Sequence, residues 1–193
     1  MPRRPTAPRP TRGQSRNCRW LNGLCHIFPP VTFGRADDAG VRVLLSELLT
    51  PEQIRVPMSA VDKRGAIQEL VRLLAERSGG DYRDLLAAVE EREGVLSTGI
   101  GHGVAVPHGR SAALGRLFLI CGSSPHPIPF DALDGEPVRL FFLLVGPEAV
   151  AGQHVRALSR IARIVRRDAV CDRLAQADTP GDFLQALLEA EGP

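Results

Sequence analysis

Residues 138–145, Val-Arg-Leu-Phe-Phe-Leu-Leu-Val, form an apolar run with almost no polar face. Successive side chains of a strand point to opposite sides, so a strand with one wet face alternates. This one does not, and it fits only a central strand covered on both faces. Such a strand needs neighbours and two covering layers. Residues 104–107 and 116–121 are short, apolar and β-prone, and read as further strands. Ala66, Ile67, Leu70, Val71 and Leu74 recur at helical spacing, with Asp62 placed to cap the start and Gly79-Gly80 to stop the end. Residues 81–92 repeat the pattern through Leu85, Leu86 and Val89. Residues 152–167 do so through Val155, Leu158, Ile161, Ala162 and Val165, and 169–177 and 182–191 complete the helical set. Leu44, Leu45, Leu48 and Leu49 predict a short opening helix closed at Thr50-Pro51, and 54–57 an extended piece. The expected fold is α/β: a single domain over 41–193, with a mixed parallel/antiparallel central sheet and helices on both faces.

Residues 1–40 read differently. The first 35 carry seven arginines, six prolines and no acidic residue, a composition that favours a disordered, basic Pro/Arg-rich extension. The whole chain is +2, so removing those seven charges leaves the remainder at −5. The basic balance belongs to the extension, and nucleic acid is not an expected partner of the folded part. The extension itself reads as dispensable, with a start at Val31, Val41 or Val43; the competing reading is a targeting segment or nucleic-acid arm with Trp20 for stacking. Cys18, Cys25, Cys121 and Cys171 have no CxxC spacing, so neither a zinc knuckle nor a disulfide framework follows. No apolar run approaches the roughly 18 residues of a membrane span. A cytoplasmic protein without direct membrane insertion is expected.

Chemistry concentrates in residues 91–110, Glu-Arg-Glu-Gly-Val-Leu-Ser-Thr-Gly-Ile-Gly-His-Gly-Val-Ala-Val-Pro-His-Gly-Arg. Gly99, Gly101 and Gly103 allow sharp bends and a close approach of amides to an anion, and His108 offers a ring nitrogen as nucleophile. The glycines lack the Lys-Ser/Thr and helix of a phosphate-binding nucleotide loop and do not open a helix as a dinucleotide fingerprint does. There is no GxSxG elbow. His102, His108 and His154 lack an HExxH or an acidic ligand set, so no metal is expected. His154 falls in the first turn of the helix after the central strand, where the helix dipole favours a negative group nearby. His126, between two prolines, and His26 read as loop residues.

These residues resemble the type 2 (fructose-mannitol and nitrogen-regulatory) IIA domains of the bacterial phosphoenolpyruvate-dependent phosphotransferase system. Arg92-Glu93, then Ser97-Thr98-Gly99-Ile100-Gly101, then Gly103-Val104-Ala105-Val106-Pro107-His108 are similar to the family's phosphorylation motif in order and spacing. Phe130-Asp131-Ala132-Leu133-Asp134-Gly135, and His154 leading Leu158, Ile161 and Ala162, agree as well. The resemblance covers about residues 43–190.

The resemblance implies that His108 accepts a phosphoryl group from the phosphocarrier protein HPr, with His154 as second active-site histidine and Arg92 as the cation. Thr98, Gly99, Gly101 and Gly103 are expected at the phosphate, Thr98 being equally suited to capping a turn. No cofactor is implied. Two acceptors stay open: a regulatory target, as in the nitrogen-regulatory subgroup, or the cysteine of a sugar-specific IIB domain. The regulatory reading is favoured by a single domain without a fused IIB loop or membrane unit, and by Phe141 to Glu148 followed by Gly152-Gln153-His154. A non-phosphorylated interaction module is the third reading, and it requires an idle His108.

Overall fold

The computed structural model describes residues 44–192, so the expected extension over residues 1–40 lies outside the described residues. A 3-10 turn at Leu45–Glu47 and a second at Pro51–Gln53 lead into β1 (Ile54–Arg55). Helix α1 (Lys63–Ser78) starts where the Asp62 carboxylate accepts from the Gly65 amide and ends at Gly79, whose φ of 73° supplies the left-handed stop. Asp81 caps α2 (Tyr82–Val95), which runs three residues past the expected end at Arg92 and keeps Arg92 in its last turn. Four strands follow, β2 (Gly99–Gly101), β3 (Val104–Ala105), β4 (His108–Arg110) and β5 (Phe118–Ile128), and then β6 (Val138–Gly146). Three helices close the chain: α3 (Ala151–Ile164), α4 (Asp168–Ala175) and α5 (Pro180–Glu191).

The six strands form one mixed sheet in the order β1-β5-β6-β3-β2, with β4 also on β6. β6 is the centre, antiparallel to β5 and parallel to β3 and β4. Phe141, Leu143 and Val145 point to one face and pack with Leu70, Leu74, Leu85 and Val89 of α1 and α2. Phe142, on the other face, lies against Phe183 of α5 with ring centroids 6.2 Å apart, and α3 also packs on β6. All three phenylalanines are buried, so the missing polar face of this strand is explained by two covering layers. The expected α/β fold with helices on both faces is the observed one.

β3 and β4 are two pieces of one line. Val104 faces Leu140 and His108 faces Leu144, so the register against β6 continues across the gap. Pro107 lacks the N–H that the ladder needs and divides the strand. The Glu191 carboxylate, at the far end of the domain, accepts from the Leu45 and Ser46 amides at 2.8 and 2.9 Å and is paired with Arg160, joining α5 to the start of the described chain.

Candidate active site

The register of β4 decides which side chains meet. His108 and Arg110 share a face with Leu144, the face that α3 covers, while Gly109 looks toward α2. A Cβ on Gly109 would stand 2.9 Å from the Ala88 carbonyl oxygen, so only glycine lets α2 lie this close to the strand. Ala88 and Arg92 are one helical turn apart on the same face. The close approach at Gly109 therefore delivers Arg92 to His108. No strand pairs with the outer side of β4 among the described residues, and the guanidinium reaches the histidine past this open edge.

Arg92 Nε donates to His108 Nε2 at 3.1 Å, and its Nη1 donates to the Leu96 carbonyl at 3.0 Å. The same arginine closes the end of α2 and reaches the candidate nucleophile. His108 Nδ1 lies 2.9 Å from the Val106 carbonyl oxygen, which only accepts. Nδ1 therefore carries the proton and Nε2 the lone pair. Val106 directs its backbone groups outward: the N–H donates to the Thr98 carbonyl at 2.9 Å, and the carbonyl is left for the imidazole. Burial lowers the His108 pKa; the bond to Val106 opposes this, and the charge of Arg92 adds to it, with a net shift downward. The ring is neutral at neutral pH.

His154 comes from the first turn of α3 and places its ring 5.9 Å from that of His108, edge to face. It is 4% exposed, and neither ring nitrogen has a hydrogen-bond partner. Burial, followed by the proximity of His108 and Arg110, lowers its pKa to about 4, with Glu148 opposing. A buried neutral imidazole with an unpaired N–H is costly to maintain, and an anion beside His108 would satisfy it.

His108, Arg92 and His154 are thus brought together. Thr98 lies next to this group through its carbonyl, which accepts from the Val106 N–H, and the three glycines follow it in the chain. The Thr98 side chain donates its one hydroxyl proton to Glu93 and keeps none for a phosphate. Gly99 packs on Ala132, where a Cβ would meet backbone at 2.8 Å. Gly101 (φ 92°) and Gly103 (φ 71°) form the left-handed turn of the β2–β3 hairpin, around His102. The His102 amide donates to Asp134 at 2.9 Å, and its ring lies 3.4 Å from Asp168. These glycines shape a hairpin. Their spacing reads as an anion cradle because both uses demand the same conformational freedom.

Sequence reasoning missed Gly109, Arg110 and Glu148. Arg110 pairs with Glu148 at the entrance to α3, and the charge of Arg110 bears on both histidine rings. Gly109 carried a readable signal, a glycine directly after the candidate nucleophile in a strand, where close backbone approach is the usual reason. The Arg110–Glu148 pairing spans 38 residues and had none. Among the described residues no group of His, Cys, Asp and Glu is arranged to hold a metal ion, and no helix is long and apolar enough to cross a membrane.

The family model described as phosphoenolpyruvate-dependent sugar phosphotransferase system, EIIA 2, matches residues 47–190. A nitrogen regulatory protein of Bradyrhizobium diazoefficiens is 36% identical over 67% of this chain and 85% of its own length. A fructose-specific EIIABC component of Bacillus subtilis is 31% identical over 74% of this chain, which spans 23% of that protein. Among solved structures, nitrogen regulatory protein IIA-Ntr from Neisseria meningitidis superposes with a TM-score of 0.71 at 31% identity, covering 76% of this chain and all of that one. IIA mannitol from Escherichia coli has the same fold, with a TM-score of 0.63 at 22% identity over 72% of this chain and 99% of its own. With the family match running from the second 3-10 turn's approach to the last helix, the chain belongs to the EIIA type 2 family of the phosphoenolpyruvate-dependent sugar phosphotransferase system.

Proposed function

We propose that this protein is a phosphocarrier that receives a phosphoryl group on His108 Nε2 from the phosphocarrier protein HPr and acts as a phosphorylation switch of the nitrogen-regulatory kind. One observation carries the reading. The Val106 carbonyl holds the proton on Nδ1 and leaves the Nε2 lone pair at the Arg92 guanidinium. In-line attack by Nε2 on the donor's phosphorus forms the new P–N bond as the donor's P–N bond breaks. The proton stays on Nδ1, still donated to the Val106 carbonyl oxygen, as the imidazole becomes cationic. Phosphoryl transfer asks the protein chiefly for positioning and fixed positive charge around the equatorial oxygens. Arg92 moves its N–H from the lone pair to a phosphoryl oxygen, and the unpaired N–H of His154 finds an acceptor. The site requires no metal for these steps.

The regulatory reading draws on the similarity to nitrogen regulatory proteins in both sequence and structure. A cytoplasmic location and a regulatory target protein go with it. The second reading, transfer to a IIB cysteine in sugar transport, draws on the fructose-specific relative and on the fold shared with enzyme IIAMtl, solved in complex with phosphorylated enzyme IIBMtl. The chemistry at His108 is common to both.

The test is incubation with phosphoenolpyruvate, enzyme I and HPr, followed by intact-mass measurement under alkaline conditions. One alkali-stable, acid-labile phosphate is expected on the wild-type chain and none on His108→Gln. An unmodified wild-type chain sinks the carrier reading. Adding a IIB domain then separates the two acceptors: discharge of the phosphoryl group to its cysteine selects transport.

A further inference from the structure

Arg110 stands two residues from His108 on the same face of β4, which puts their Cα atoms about 6.6 Å apart. It is 54% exposed and paired with Glu148, itself 70% exposed. Glu148 opens the 3-10 turn Glu148–Val150 that runs directly into α3, the helix carrying His154. Both charges act on the His154 ring. The charges of the pair thus bear on the histidine rings, and the pair is of the weak, solvent-screened kind.

We propose that Arg110 is a second phosphoryl-binding cation and that Glu148 is its resting counter-ion, displaced when His108 is phosphorylated. The proposal rests on the phosphocarrier reading above. A phosphoryl group carries close to two negative charges and three acceptor oxygens, and guanidinium grips such an oxyanion through charge-assisted, fork-shaped bonding. A single exposed carboxylate is the weaker competitor. On phosphorylation Arg110 turns from Glu148 to the phosphoryl group, which Arg92, already at Nε2, holds as well. The two arginines offset most of the new charge within the site. The charge that a partner then meets is the released Glu148 carboxylate, at the start of α3. Glu148 acts through Arg110 and is a positioning residue; Arg110 touches the phosphoryl group.

The experiment is a double-mutant cycle on the equilibrium distribution of phosphate between HPr and this chain, with wild type, Glu148→Gln, Arg110→Gln, the double variant and Arg110→Lys. Glu148→Gln is expected to shift the distribution toward this chain by roughly threefold, the scale of one exposed ion pair. Arg110→Gln is expected to shift it away by about tenfold, the scale of one charge-assisted bond. The double variant should match Arg110→Gln alone, and Arg110→Lys should restore most of the loss. Thermal melting of the unphosphorylated proteins should move little, since the pair is exposed. If the Glu148→Gln gain survives in the Arg110→Gln background, or Arg110→Gln leaves the distribution unchanged, the proposal fails while the carrier reading stands. Absence of phosphate on wild type overturns both.

Discussion

Arg92 and Glu93 are neighbours on α2, and they head two polar clusters of opposite character. Glu93 is saturated. Its carboxylate accepts from the Thr98 amide at 3.1 Å and from the Thr98 hydroxyl, and pairs with Lys63 at 2.9 Å. Lys63 in turn reaches Asp131 at 3.1 Å and lies over the Phe130 ring. Burial pulls the Lys63 pKa down, but its bonds to Glu93 and Asp131 outweigh this and raise it. The cluster locks α1, α2 and the loop after β5 in one arrangement. The Arg92 cluster is open. His154 has two unpaired ring nitrogens, and the arginine donates to a lone pair that would be consumed by chemistry. The first cluster is satisfied within the fold, and the second leaves ring nitrogens without a partner.

The sharpest way to break this contrast is Arg92→Ala. It should cost about 10²–10³ in phosphoryl-transfer rate, as loss of one preorganised donor does, with a melting temperature lowered by only a few degrees through the lost bond to the Leu96 carbonyl; rapid-quench transfer from phospho-HPr and calorimetry measure the two. Glu93→Ala should do the reverse in kind, lowering stability by about 2–4 kcal/mol because it leaves the two buried Thr98 donors unpaired, while Lys63 keeps Asp131. Urea titration reads that number, and a loss under 1 kcal/mol would show the cluster to be dispensable.

Acid should find the open cluster first. The His154 pKa is about 4 folded against 6.5 for the free side chain. The depressed value means that its contribution is whole above pH 6.5, and that stability drains as pH falls from 6.5 to 4, because only the unfolded chain takes up the proton there. The loss is on the order of 3 kcal/mol. In His154→Gln that part of the pH slope should vanish, and an unaltered slope in chemical denaturation across this range refutes it. The smallest effect expected is that of Gly109→Ala. Its Cβ would press on the Ala88 carbonyl, costing about 1–3 kcal/mol and moving α2 away from β4. The Arg92 to His108 bond should weaken with it, visible as a change in the His108 ring nitrogen shifts by NMR.

Much of the fold was legible in the sequence because it is written in local signals. Asp62 and Gly79 mark helix ends whatever the rest of the chain does, and an apolar run without alternation has one place in a sheet. His108, Arg92 and His154 were found through a motif whose order survives in the chain. The close packing of Gly99 on Ala132 was not legible, because a glycine that frees an amide for an anion and one that makes room for a neighbour are the same residue in a sequence. β2 went unseen for a related reason: a three-residue strand bounded by two glycines has no periodicity to detect.

The Val106 carbonyl has one more consequence. The protonation pattern of the candidate nucleophile is set by the main chain at Nδ1, and the Arg92 N–H at Nε2 agrees with it. Substitution at neighbouring positions leaves an oxygen at that point as long as β3 and β4 keep their register. Change in the surrounding side chains can therefore alter what lies around His108 and still leave a carbonyl oxygen at Nδ1 and a lone pair on Nε2.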